Sequence, residues 1–358
     1  MSRVPANGDA IDAAWLTDAL QARHPGARVA SVELADRAEV TNAHVWLRVH
    51  HAEDSAGGPT ALFGKLLPND PARRVAIAHT RMGLREAKFY ESLAPQLSLR
   101  VPEAHVVRYE EDAGGAFVLL LEDLGETGCR VSSGPESPTP DQAAQALAGL
   151  AAMHVRFEDG AVRARDAGWV GPPDPPSDYG SARLQEGLDH HRDRLTPAFA
   201  EMAEVYIAEQ GALHALWSVG AQTVIHGDLH IGNLFFDGDG VGFLDWGLVT
   251  LGPALRDVSY FLCMSLSVAD RRACERDLIR HYLDARRALG GAAIPFDEAW
   301  TSHRLQASYL AVASCQIVTF PEDVTPRRAK FAAAFLERAS AALEDLESRA
   351  ALRTYSGI

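Results

Sequence analysis

The sequence predicts an α+β protein of two lobes: an antiparallel five-stranded sheet lobe with a helix over residues 1–123, and a mainly α-helical lobe over residues 124–358. Three observations lead there. A chain of 358 residues is long enough for two cores, since a domain takes about 100–200 residues. Short apolar runs of strand character crowd the first third of the chain. Past residue 140, apolar residues recur at helical spacing in one segment after another.

The elements follow in order. Residues 9–20 have an amphipathic pattern around Trp15, Leu16 and Leu20, and predict a helix. Residues 30–34, 45–49 and 61–67 are predicted strands. Residues 83–93 carry Leu84, Ala87, Phe89 and Tyr90 on one side of a predicted helix. Two further strands, 101–109 and 116–121, complete a five-stranded sheet. The second of them ends at Glu122, Asp123, Leu124 and Gly125, the point where the lobes are expected to join.

Pro140 and Asp141 then open a helix to 157, with Ala144, Leu147, Leu150, Ala151 and His154 in register; His154 belongs to its buried stripe. Further helices are expected at 183–195, 199–217, 254–266, 268–288, 297–318 and 327–349. Between the first two helices of this lobe, residues 168–180 hold four prolines in a short span, so they form a stiff displayed loop. Trp169 and Tyr179 offer flat surfaces there, and Asp174 and Asp178 offer polar groups, which suits a wall of an acceptor pocket. A spacer remote from any site has the same composition.

The chemistry is concentrated in His226-Gly227-Asp228-Leu229-His230-Ile231-Gly232-Asn233, with Asp245 following in Phe243-Leu244-Asp245-Trp246-Gly247. Asp228 and Asn233 have the H-x-D-x-x-x-x-N spacing in which a carboxylate receives a hydroxyl proton and an amide holds a metal during phosphoryl transfer. Residues 234–236 and 241–244 are short strands around the Asp237-Gly238-Asp239-Gly240 turn, which would bring Asn233 and Asp245 to one end of a hairpin. Such chemistry also needs a cation for the phosphates and an acid to hold that cation. Lys65, the only lysine before residue 88, lies on a predicted strand, and Glu86 lies on the following helix. Gly64-Lys65 is not the end of a P-loop, because Pro59 and Leu66 stand where Gly and Ser or Thr are required.

These motifs resemble the aminoglycoside phosphotransferase-like kinases, a group that includes choline kinase-like and ecdysteroid kinase-like enzymes. That group writes its catalytic loop H-G-D-x-x-x-x-N and its metal segment D-W or D-F. The resemblance runs from the Lys65 strand to Asp257 and implies a bilobal protein-kinase-like fold. It implies ATP, possibly GTP, and Mg²⁺ as cofactors, and a hydroxyl of a small molecule as acceptor, most naturally an antibiotic or other natural product. Asp228 would be the catalytic base, Asn233 and Asp245 the metal ligands, Lys65 the phosphate cation and Glu86 its partner. Backbone groups near Glu122 and Leu124 would meet the adenine edge, and Asp257 would buttress the catalytic segment. The phosphate-covering turn departs from the glycine-rich pattern: residues 38–49 contain no glycine, leaving the amides and side chains of Thr41 and Asn42 as candidates.

Competing readings are a metal-dependent hydrolase built on His226, Asp228 and His230, and a catalytically silent nucleotide-binding protein. A protein kinase is disfavoured by the His-Gly-Asp loop and the absence of an A-P-E segment. Lysine plus arginine at 34 against aspartate plus glutamate at 48 gives a net charge of −14, which argues against nucleic acid and anionic membranes as partners. Cys129, Cys263, Cys274 and Cys315 form no C-x-x-C pair, and no apolar run reaches 18 residues. A cytoplasmic monomer or homodimer is expected.

Overall fold

The computed structural model describes residues 4–39, 41–112, 114–319 and 325–356. The chain divides into two compact units, one formed by residues 1–131 with 242–249, the other by residues 132–241 with 250–358.

In the first unit, helix α1 (Ala13–Leu20) starts at Asp12, whose carboxylate accepts the Trp15 N–H. Strands β1 (Val29–Glu39), β2 (Ala43–His51), β3 (Ala61–Leu66), β4 (Ala104–Tyr109) and β5 (Phe117–Glu122) form the expected five-stranded antiparallel sheet, in the order β1-β2-β3-β5-β4. Alternation divides its faces. Val45, Leu47 and Val49 of β2, Leu62 and Leu66 of β3 and Val118 and Leu120 of β5 are buried in one core with Leu16 and Leu20 of α1. His44 and Trp46 of β2 lie on the other face, in register with Lys65 and Phe63 of β3.

Between β3 and β4 come α2 (Pro71–Thr80) and α3 (Met82–Lys88), the latter continuing into a π-helical turn over Phe89–Leu93. The sequence reading placed a helix over 83–93 and none over 71–80. α2 buries no residue, so it has no core-facing stripe to detect. Its start is nevertheless written in Asp70-Pro71: the Asp70 carboxylate accepts the Arg73 N–H.

The first unit's long run ends at β6 (Arg130–Val131), and the first helix of the second unit is α4 (Pro140–Glu158), opened by a capping box between Thr139 and Gln142. Then come α5 (Gly160–Asp166), α6 (Asp178–His190), α7 (Pro197–Trp217), β7 (Gln222–Ile225), β8 (Leu234–Asp237), β9 (Gly240–Phe243), β10 (Thr250–Pro253), α8 (Ala254–Ser265), α9 (Val268–Ala288) and α10 (Phe296–Gln306). The last elements are α11 (Leu310–Ala313), α12 (Cys315–Val318), α13 (Pro326–Asp345) and α14 (Ser348–Ser356).

Three expectations are corrected. α6 begins at Asp178, not at 183, because Pro175 and Pro176 stop the loop and an acid in the first turn favours the helix dipole. The single helix expected over 297–318 is broken, with Ser308 and Ser314 hydroxyls donating to the Leu305 and Leu310 carbonyls at 2.6 and 2.7 Å. The helix expected over 327–349 ends at 345, and Glu347 takes a left-handed conformation at φ 47°. All four cysteines are free thiols, and among the described residues no helix is long and apolar enough to cross a membrane.

Candidate active site

The first unit assembles Lys65, Glu86 and Asp245. Lys65 Nζ donates to both Glu86 oxygens at 2.9 and 3.0 Å and lies 3.3 Å from Asp245 Oδ1. The Lys65 and Glu86 side chains are 9% and 1% exposed, whereas Asp245 is 45% exposed. Asp245 adopts a left-handed backbone at φ 58°, ψ 68°, a conformation that Asp tolerates better than most residues.

The segment after it is anchored twice. Trp246 stacks on Phe89 with ring centroids 3.8 Å apart, and Arg85 Nε donates to the Gly247 carbonyl at 2.9 Å. Helix α3 thus holds Glu86 and the Asp245 segment together.

One ammonium between two carboxylates decides the electrostatics. Burial alone would push the Lys65 pKa down, but Asp245 and Glu86 outweigh it and hold it above its ordinary value. Glu86, the more deeply buried acid, is pushed up to about 7 by that burial, with Asp245 adding repulsion against the pull of Lys65. His44, cross-strand from Lys65, is pushed down to about 4, first by burial and then by the lysine charge.

The second unit builds the Asp228 loop. Asn233 Nδ2 donates to the Asp228 carbonyl at 2.8 Å and to its Oδ2 at 3.0 Å, closing the loop on itself. His230 Nε2 stands 3.6 Å from the same Oδ2, and Asp228 retains 26% exposure. Burial works to raise the Asp228 pKa, but His230, His226 and Asn233 outweigh it and hold the carboxyl below its usual range.

Beneath the loop, Asp257 of α8 accepts the His226 and Gly227 amides at 2.7 and 2.9 Å. Gly227 supplies the left-handed turn, at φ 84°, that follows His226. His154 Nε2 lies 3.4 Å from Asp257, its Nδ1 lies 2.8 Å from the Tyr282 hydroxyl, and its carbonyl accepts from Thr223 at 2.7 Å. As expected, His154 is fully buried and takes a bridging part in the core.

One residue the sequence reading missed is Tyr260, on the same helix as Asp257, whose buried hydroxyl has its pKa raised well above the usual value by burial and by the Asp228 charge. An i, i+3 pair with Asp257 was the available signal. His230 is ringed by Tyr260, Phe331 and Phe335, at centroid distances of 6.2, 6.0 and 5.2 Å.

The remaining candidates sort differently. Thr41 and Asn42 belong to the turn between β1 and β2; residue 40 of that turn lies outside the described residues. Thr41 is exposed, and Asn42 is buried with its Oδ1 lacking a hydrogen-bond partner. Glu122 spends its side chain on Arg100, at 2.9 and 2.8 Å, and its amide on the Glu103 carbonyl, while the Leu124 carbonyl accepts the Cys129 amide. Trp169 is half-buried in the proline loop, which β10 ties down through bonds from Leu251 N–H and Thr250 Oγ1 to the Gly171 carbonyl. Tyr179 stands in the first turn of α6, half-exposed, with the Arg183 guanidinium over its ring.

The hydrolase cluster does not assemble. His226 Nδ1 accepts the Asp228 N–H and His230 Nδ1 accepts the Gly232 N–H, so both imidazoles serve the loop backbone. Among the described residues, His226, Asp228 and His230 do not converge as a metal-ligand group.

Comparison with known proteins gives the family. The model of the phosphotransferase enzyme family (APH) matches residues 70–292. No curated protein sequence matches the chain. Among solved structures, the chain is similar to a candidate aminoglycoside phosphotransferase from Ralstonia eutropha JMP134, with 16% identity and a TM-score of 0.50 over 93% of this chain and 96% of that one. It is also similar to a macrolide 2′-phosphotransferase from Brachybacterium faecium (17%, 0.42, 90% and 97%). A choline/ethanolamine kinase family protein from Mesorhizobium loti gives 16%, 0.45, 90% and 92%. At such identities the first likeness speaks for the fold, and it agrees with the five-stranded sheet and the helical second unit. Because the family match spans more than half of the chain, this protein belongs to the APH phosphotransferase enzyme family.

Proposed function

We propose that the chain transfers a phosphoryl group from ATP, with Mg²⁺, to a hydroxyl of a small ring-bearing molecule. The observation that carries this reading is the buried Lys65 ammonium shared between Glu86 and Asp245. Glu86 fixes the direction of the ammonium, which suits it to bind nucleotide phosphates. Asp228, held ionised and hydrogen-bonded to Asn233, is suited to accept the proton of an acceptor hydroxyl.

The donor set fits a hard cation. Asp245 is half-exposed, and Asn233 uses only its amide nitrogen on Asp228, so both residues offer oxygen ligands of the kind magnesium takes. Such an ion neutralises phosphate charge and orients the transferred group. Thr41 and Asn42 would add contacts to the phosphates through their backbone N–H groups, the Thr41 hydroxyl and the Asn42 amide nitrogen, which are the donors of this turn. The segment from Glu122 to Leu124 would carry the base edge. Phe331, Phe335 and Tyr260 around His230 favour an acceptor with an apolar ring over a small open-chain amino alcohol. Trp169 and Tyr179 would extend that wall.

The test is turnover with ATP and GTP against a panel of hydroxylated antibiotics, sugars, steroids and amino alcohols. Asp228→Asn should lower kcat by about 10²–10⁴-fold while nucleotide affinity stays within about twofold. Equal turnover by the variant would sink the assignment.

A further inference from the structure

Among the described residues, a group of histidine and acidic side chains in the first unit converges as metal ligands do. His24 lies in the turn after α1; Glu103 and His105 lie at the start of β4, the edge strand of the sheet. His24 Nε2 and His105 Nδ1 are 3.0 Å apart, and Glu103 Oε1 is 3.8 Å from that Nδ1. One ligand atom from each of the three lies within 4.8 Å of the other two.

We propose that His24, Glu103 and His105 form a binding site for a divalent transition metal, zinc by its ligand chemistry, with water completing the shell. Two imidazoles and one carboxylate are a recurrent zinc ligand set, and bonds of about 2.0–2.1 Å in a tetrahedron put neighbouring ligands about 3.3 Å apart. The observed separations bracket that value. An exposed Glu103 side chain, at 65%, can close the remaining gap by a rotamer change.

The backbone under each ligand is held. His24 N–H donates to the Leu20 carbonyl at 2.7 Å, and its carbonyl accepts the Ala27 N–H at 3.0 Å. Glu103 is fixed at both ends by Glu122, through its own N–H at 3.1 Å and its carbonyl at 2.7 Å. His105 is the unpaired residue of a β-bulge, since Ala104 pairs with Leu121 and Val106 with Leu120. Bulges re-aim a side chain at a sheet edge. Here the bulged residue is the one that meets His24. The site has no part in the proposed magnesium chemistry, because imidazole nitrogen suits zinc, nickel or copper far better than magnesium. The ion would tie the turn after α1 to the edge strand.

Isothermal titration of zinc chloride into the tag-free, chelator-treated full chain, in excess magnesium, tests this. The expected result is one zinc per chain with a Kd at or below about 10 μM, weakened about tenfold or more in both Glu103→Gln and His24→Gln. Asp228→Asn and Asp245→Asn should bind zinc as the wild type does, and zinc should raise the melting temperature only of chains that keep the three ligands. The proposal is overturned if no one-to-one binding tighter than about 100 μM is seen. It is equally overturned if binding survives His24→Gln and Glu103→Gln, or disappears in Asp228→Asn. Because no readout is turnover, failure here leaves the phosphotransferase reading standing, and failure of that reading leaves this one standing.

Discussion

The Lys65–Glu86 pair lends itself to a double-mutant cycle, with Lys65→Met and Glu86→Gln as near-isosteric neutral replacements. The two charged groups are 2.9 Å apart and almost fully buried. With an effective dielectric of about 20, their attraction is about 6 kcal/mol, most of it offset by desolvation. Glu86→Gln leaves the ammonium with Asp245 at 3.3 Å, so the loss of stability should be only about 2 kcal/mol. Lys65→Met leaves a buried carboxylate beside Asp245 with no cation, which typically costs about 3–5 kcal/mol. Protonation of Glu86, already pushed up to about 7, brings the cost towards the lower end at neutral pH.

The double variant removes both charges and should be more stable than the sum predicts, with a coupling of about 2 kcal/mol. Urea unfolding followed by tryptophan fluorescence at pH 7 measures all four corners. Raising the salt to 0.5 M should change the coupling little, since a buried pair is weakly screened. A coupling below about 0.5 kcal/mol would refute the reasoning, because surface pairs give values of that size.

Two further predictions concern protonation and the loop support. The His44 pKa falls from 6.5 to about 4 on folding, so its contribution to stability is complete above pH 6.5 and is lost as the pH falls through 4. At about 1.4 kcal/mol per unit the loss is about 3.5 kcal/mol, and His44→Gln should flatten the stability profile between those pH values; equally steep profiles would count against it. Asp257→Asn exchanges an acceptor oxygen for a donor opposite the His226 and Gly227 amides, so one buried N–H loses its partner at a cost of about 1–3 kcal/mol. Both melting temperature and kcat should fall, and a variant with unchanged kcat would show that the loop holds its shape without that carboxylate.

Legibility in the sequence followed the range of the interactions. The sheet was legible because alternating burial, as in Val45, Leu47 and Val49, is a period-two pattern along each strand. Helix α2 was not, because it buries no residue and so carries no core-facing apolar stripe, leaving Asp70-Pro71 as its local mark. The interruptions at Ser308, Ser314 and Glu347 escaped for a similar reason: one hydroxyl or one left-handed residue ends a helix without disturbing its apolar period. Tyr260 escaped because a tyrosine on a buried helix face has the same pattern whether or not it feels the charge of Asp228.

By itself the sequence determined the Asp228–Asn233 loop, since five residues of spacing and two hydrogen bonds at 2.8 and 3.0 Å are a local matter. It also named Lys65, Glu86 and Asp245 as separate candidates. Only the tertiary structure decided that one ammonium serves both carboxylates, that Asp245 groups with the sheet unit, and which amides, those of His226 and Gly227, Asp257 accepts. The physical reason is that a chain pattern records which side of its own strand or helix a residue occupies. Which distant charge shares its buried surroundings depends on how whole elements pack, as when Phe89 stacks on Trp246 and brings the Asp245 segment against α3.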